Sequence, residues 1–201
     1  MKLIIVSGPS GSGKTTLSKR ILKKFKQGII LNTDNYYRTG LISQIFSKIL
    51  TSYFDRKISF NKKLFKRDLV FILKNNFSNH SYKYNFKTKT VKKKYKKTQK
   101  ISYVIVEGIF GNQILETYSD FNCILIKLKT NKNICMKRAI KRDFNERGKS
   151  KNLAKRDFIK AWKLFYKNKK NENSVKYQKK FIVRKKNDIN LLLKIITKTL
   201  N

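Results

Sequence analysis

Residues 7–16 read SGPSGSGKTT, and their spacing is suited to holding phosphate. Gly8, Gly13, Lys14 and Thr15 complete the pattern G-x-x-x-x-G-K-[ST]. Glycines let the backbone turn tightly enough for its N–H groups to converge on an anion. A helix starting at the loop adds the positive end of its dipole. The expected phosphate contacts are Gly8, Pro9, Ser10, Gly11, Ser12, Gly13, Lys14, Thr15 and Thr16. Lys14 has the reach for the β- and γ-phosphates of ATP, and the Thr15 hydroxyl is a ligand for Mg²⁺. A chance glycine-rich turn would share this composition, so the flanks decide. Leu3–Val6 is an apolar, β-branched run that reads as a buried strand, and Leu17, Ile21 and Leu22 recur at helical spacing. Strand, loop and helix follow in the order the pattern requires.

Two acids end apolar runs that read as strands. Asp34 follows Gly28–Asn32, and Glu107 closes Tyr103–Glu107. In a parallel α/β sheet ligands sit at the carboxyl ends of the strands, so both acids face the phosphate loop. Glu107 is placed to hold Mg²⁺ directly or through water, and Asp34 to accept a proton from an attacking hydroxyl. The plainer alternatives are a helix cap for Asp34 and a turn-stabilising acid for Glu107. A further cluster lies in residues 134–149, ICMKRAIKRDFNERGK. Arg138 and Arg142 share a helix face, Arg147 follows, and Gly148 is suited to end the helix. Arginines converging on a crevice stabilise a moving phosphoryl group, whereas a solvated basic face would look similar.

The elements that must position these residues alternate. Short apolar runs near residues 3–6, 28–32, 103–107, 122–126 and 181–183 read as strands. Helical patterns cover 41–50, 62–75, 131–146, 152–168 and 188–200. The expected fold is a three-layer α/β/α domain over residues 1–201, with a five-stranded parallel sheet. Residues 82–98, YKYNFKTKTVKKKYKKT, read as an inserted β-hairpin, a lid over the acceptor site.

With 50 basic and 11 acidic residues the chain carries a net charge of +39. Such a field attracts polyanions, and Lys92-Lys93-Lys94-Tyr95-Lys96-Lys97 is the densest patch. Abundant Lys, Asn, Ile, Phe and Tyr also fit an A/T-rich coding bias, which favours a solvated surface over a dedicated nucleic-acid face. Cys123 and Cys135 lack metal-ligand spacing and read as core residues, and His80 is the only histidine. No apolar run spans a bilayer, and a leader cut near the N-terminus would destroy the loop, so a cytoplasmic or organelle-interior location is expected.

Taken in order, these motifs resemble the uridine–cytidine kinases of the phosphoribulokinase/uridine kinase family. TDNYY resembles the family's acid-x-aromatic-Tyr motif, which implies Asp34 as the base for a ribose 5′-hydroxyl and Tyr37 beside the substrate. YFDRKISFN resembles the Phe-Asp stretch that binds ribose hydroxyls, which implies Asp55. YNFKTK resembles the hairpin that contacts the base, which implies Tyr84, Phe86 and Lys89. VIVEGIF matches the acid-Gly turn, and IKRDFNERGK resembles the lid. The pattern departs at Asn85, Asn61, Ala139, Lys149 and Lys89, the last standing where the family has His. An ammonium only donates, whereas imidazole does both, so base recognition is expected to differ. The resemblance implies a P-loop kinase fold with an arginine lid over residues 134–149, an ATP- and Mg²⁺-dependent kinase activity on a pyrimidine ribonucleoside, and a homo-oligomer. Ribulose phosphate, pantothenate and nicotinamide riboside are alternative acceptors. A nucleic-acid-binding P-loop ATPase and a catalytically silent relative are the readings outside that activity.

Overall fold

A computed structural model describes residues 1–50, 53–110, 123–167 and 179–200. Five strands form one parallel sheet: β1 (Lys2–Ser7), β2 (Gly28–Asn32), β5 (Tyr103–Glu107), β6 (Cys123–Leu128) and β7 (Lys179–Val183). Their spatial order is β2-β5-β1-β6-β7. Ile4 stands beside Ile105 on one side and Ile124 on the other, which fixes the central register. The central strands are apolar at nearly every position because helices cover both faces.

Alternation along β1 sorts the core into two halves. Leu3 and Ile5 point to the face packed by Phe65, Leu69 and Ile72 of α3 (Lys62–Asn75). Ile4 and Val6 point to the opposite face, with Leu17 and Ile21 of α1 (Lys14–Lys24) and Leu192 and Ile196 of α6 (Lys186–Leu200). Each such side chain contributes about 1.5–3 kcal/mol by leaving water. A third, smaller cluster joins Cys135 and Ala139 of α4 (Lys132–Arg147) to Phe158 of α5 (Lys151–Lys167). Gly148 joins these helices in the left-handed conformation, at φ 69°.

The hairpin is an antiparallel pair, β3 (His80–Asn85) and β4 (Thr90–Tyr95), separate from the main sheet. It begins two residues earlier than the alternation suggests, and residues 96–98 lie beyond its second strand. α2 (Leu41–Ile49) forms where expected, but Leu41, Ile45 and Ile49 are not drawn into the core: Leu41 is 79% and Ile49 69% exposed. Cys123 and Cys135 are buried free thiols. Among the described residues no helix is long and apolar enough to cross a membrane.

Candidate functional site

The loop after β1 carries its ligand-binding character in its backbone. Gly11 and Gly13 adopt φ of 76° and 96°, where a side chain would strain the chain. A Cβ on Gly11 would also run into the backbone carbonyl of Cys135 in α4. Gly13 caps α1 without a side chain, so the first N–H groups of that helix remain for an anion. Lys14 Nζ donates to the carbonyls of Gly8 at 2.9 Å and Pro9 at 3.0 Å. Burial lowers the pKa of Lys14, while Glu107 and Asp34 pull it back up. Ser12 Oγ is buried and has no partner among the described residues. An open helix start, an orphaned hydroxyl and a lysine over the loop together fit a nucleotide phosphate.

Glu107 ends β5 at the bottom of the same cavity and is 2% exposed. It accepts hydrogen bonds from the Thr15 hydroxyl at 2.9 and 3.1 Å and from Asn32 Nδ2 at 2.8 Å. Its carboxyl is held above the ordinary range by burial, with Lys14 and the Thr15 hydroxyl opposing. These contacts tie Glu107 to the loop rather than to a turn of its own. Behind it Gly108 packs against Thr33 so closely that a Cβ would collide with the threonine hydroxyl.

Asp34 lies in the short helical turn Thr33–Tyr36 after β2. The cap of that turn is Asn32, whose side chain accepts from Asp34 N at 2.8 Å. The Asp34 carboxylate is therefore released from capping. It lines the cavity with Lys14 and Thr15, and accepts from the Tyr37 hydroxyl at 3.2 Å. The cavity measures about 420 Å³ and is also lined by Ser10, Arg142 and Arg147.

The three arginines separate. Arg142 Nη2 reaches Ser10 Oγ at 3.2 Å and pairs with Asp143 at 2.7 Å. Arg147 pairs with the same Asp143 oxygen at 3.3 Å and lies 3.5 Å over the Phe86 ring. Burial and the Arg142 charge lower the pKa of Arg147. Arg138 does not join them on the cavity wall. It is exposed, with its guanidinium 3.9 Å from where a Cβ on Gly13 would stand. It stands beside the start of α1, one helical turn from Arg142. Buried Asp143 organises the other two, a role the sequence reading missed although the adjacent Arg-Asp pair signalled it.

The far wall is aromatic. Tyr37 and Tyr84 meet edge to face at 4.9 Å, as do Tyr84 and Phe86, and Tyr37 meets Phe54 at 5.1 Å. Lys89, at φ 55° in the hairpin turn, also faces the cavity. Asn85 accepts from the backbone N–H groups of Lys87 and Thr88, so it shapes the turn. Asp55 falls in the turn Tyr53–Asp55, but its side chain lies outside the described residues. Arg156, Asp157 and Lys160 of α5 complete the wall, with Asp157 taken by Lys149 at 2.8 Å. Their i, i+4 spacing was the available signal; the sequence reading had treated α5 only as an amphipathic helix.

Residues 3–169 match the Phosphoribulokinase / Uridine kinase family. A uridine kinase of Clostridium novyi (strain NT) is 32% identical over 150 residues, covering 74% of this chain and 71% of that protein. A uridine kinase of Borrelia garinii subsp. bavariensis is 32% identical over 160 residues, covering 74% and 70%. Among solved structures, D-glycerate 3-kinase from Cryptococcus neoformans superposes with a TM-score of 0.62 at 14% identity, covering 90% of this chain and 85% of that one. That last likeness speaks to the fold alone.

Proposed function

This chain belongs to the phosphoribulokinase/uridine kinase family and is a phosphotransferase of the kinase class; we propose that it moves the γ-phosphoryl group of ATP to the 5′-hydroxyl of uridine or cytidine. The observation that carries the proposal is one cavity lined at once by Lys14, Thr15, Asp34 and Arg142, with aromatic rings opposite. The ATP phosphates lie along residues 8–16, with Lys14 exchanging its loop carbonyls for phosphate oxygens. Thr15 and, through water, Glu107 are the residues that would hold Mg²⁺, which supplies neutralising charge at the phosphate oxygens.

Asp34 takes the proton of the acceptor hydroxyl. The acceptor oxygen then bonds to the γ-phosphorus as the bond from that phosphorus to the β,γ-bridging oxygen breaks, and ADP leaves. Arg142 and Arg147 offset charge on the group in transit. Arg138, beside Gly13, adds positive charge at the loop. Tyr84 and Phe86 offer faces to a flat base, Tyr37 orients Asp34, and Lys89 donates to the base edge. Asp55 holds the ribose hydroxyls, a role supported by the motif alone.

A screen with γ-labelled ATP tests this. The acceptors are uridine, cytidine, adenosine, ribulose 5-phosphate, pantothenate and nicotinamide riboside. Label on uridine or cytidine is the expected result. Label only on another acceptor would move the specificity, and ATP hydrolysis with none labelled would overturn the proposal. Titration with a single-stranded oligonucleotide separates the ATPase alternative, which requires tight binding that weakens steeply with salt.

A further inference from the structure

Asp68 is a buried carboxylate that the proposed chemistry does not use. It sits in the middle of α3, among Phe65, Leu69 and Ile72, and is 4% exposed. A leucine would serve that helix face better, because a buried charge is costly unless it is fully hydrogen-bonded. Its partners come from outside the helix core. Oδ2 lies 3.1 Å from His80 Nε2, and the carboxylate charge acts on the Tyr36 hydroxyl, whose ring packs edge to face on Phe65 of the same helix at 4.9 Å. On the solvent side Arg67 approaches Oδ1 at 3.3 Å. His80 is itself held by Asn79, 2.6 Å from Nδ1.

The two partners belong to the two segments that build the cavity. Tyr36 ends the turn that carries Asp34, and His80 opens the hairpin that carries Tyr84 and Phe86. These segments also touch directly. Tyr84 N donates to Asn35 Oδ1 at 3.0 Å, and the Tyr36 and Tyr82 rings meet edge to face at 5.3 Å. Burial and Asp68 together raise the pKa of Tyr36, so its hydroxyl stays a donor.

We infer that Asp68 is a positioning residue: it ties the turn bearing Asp34 to the first strand of the hairpin, and so fixes the spacing between the base and the aromatic wall. This inference rests on the reading of Asp34 as the base. One arm, through Tyr36, sets the carboxylate; the other, through His80, sets the acceptor wall. The arms therefore affect different kinetic constants.

The test uses Tyr36→Phe, His80→Gln and Asp68→Asn in the full chain. Tyr36→Phe is expected to lower kcat about tenfold with little change in acceptor KM. His80→Gln is expected to raise acceptor KM about fivefold with kcat near wild type. Asp68→Asn shows both effects, and adding His80→Gln to it changes nothing more. The KM for ATP stays constant throughout. Uniform loss of all activities would make Asp68 merely structural and overturn the inference, as would unaltered kinetics in the Tyr36 and His80 variants. Hydrogen exchange gives a readout independent of the acceptor: residues 33–37 and 80–95 should lose protection together in Asp68→Asn, and unchanged protection there overturns the clamp. If wild type phosphorylates no acceptor, the base assignment falls while the exchange result still judges the clamp. Should Asp68→Asn fail to fold, Tyr36→Phe and His80→Gln, each removing one polar group beside Asp68, decide the matter.

Discussion

The phosphate end of the cavity is assembled from strand ends and the start of one helix. Asn32 and Glu107 end neighbouring strands directly opposite each other, and Glu107 stands beside Val6, one residue before the end of β1, so sheet register alone brings these strand ends together. The acceptor end draws instead on the hairpin, the Tyr53–Asp55 turn, the end of α4 and one face of α5. Its residues meet through side-chain packing between segments far apart in sequence. A site fixed by backbone register tolerates little change, whereas one fixed by side-chain contacts can exchange residues and keep the fold. Three of the five residues that depart from the family pattern, Lys89, Asn85 and Lys149, lie at the acceptor end, whereas Asn61 caps α3 and Ala139 is buried between α4 and α5.

The largest expected effect tests whether the two ends are functionally separate. Asp34→Asn should cut kcat by about a thousandfold and leave ATP affinity nearly unchanged. Equal turnover in that variant would reject the base assignment. Gly11→Ala acts on the other end only. Its Cβ would collide with the Cys135 carbonyl at a positive φ, at a cost of about 1–3 kcal/mol. Calorimetry should show ATP binding weakened tenfold or more, and normal ATP affinity would mean that the loop absorbs the clash. Phe86→Ala removes a stacking face and the support of Arg147, and should raise acceptor KM about three- to thirtyfold with the KM for ATP unmoved. A rise in both constants would erase the division proposed here.

The smallest effect is one of pH. Glu107 is held above the ordinary value of 4.5 by burial, so the folded chain binds that proton more tightly than the unfolded chain. Its stabilising contribution is full below 4.5 and is lost as pH rises through the raised folded value. Glu107→Gln should remove this contribution, shifting the gap in Tm between acid and neutral pH by about 2–4 °C. An unchanged gap in thermal melts would show that Thr15 and Asn32 fully compensate the buried charge.

What the sequence disclosed follows the same division. Short apolar runs, a glycine-lysine spacing and acids at strand ends are local signals, and they located β1, β2, β5 and the contacts of Glu107 with Thr15. Helical periodicity placed Arg138 and Arg142 on a shared face, but not on a shared wall. Which side of a helix meets a crevice depends on its packing angle, which spacing does not encode. Asp68 was hidden for a related reason. A lone acid in an amphipathic helix gives no sign that it is buried until its partners from other elements are known. Lys89 and Asn85 could be read as departures, but only the turn geometry shows Asn85 bonding the hairpin backbone.

The contact between Gly11 and the Cys135 carbonyl makes α4 a lever arm. Its fulcrum rests against the phosphate loop, and twelve residues separate Cys135 from Arg147, about 18 Å along the axis. A swing of about ten degrees would carry the Arg147 guanidinium about 3 Å, and Arg142 a little over half as far. A rotation too small to disturb the nearby loop would thus move the distal charge by the full length of a hydrogen bond.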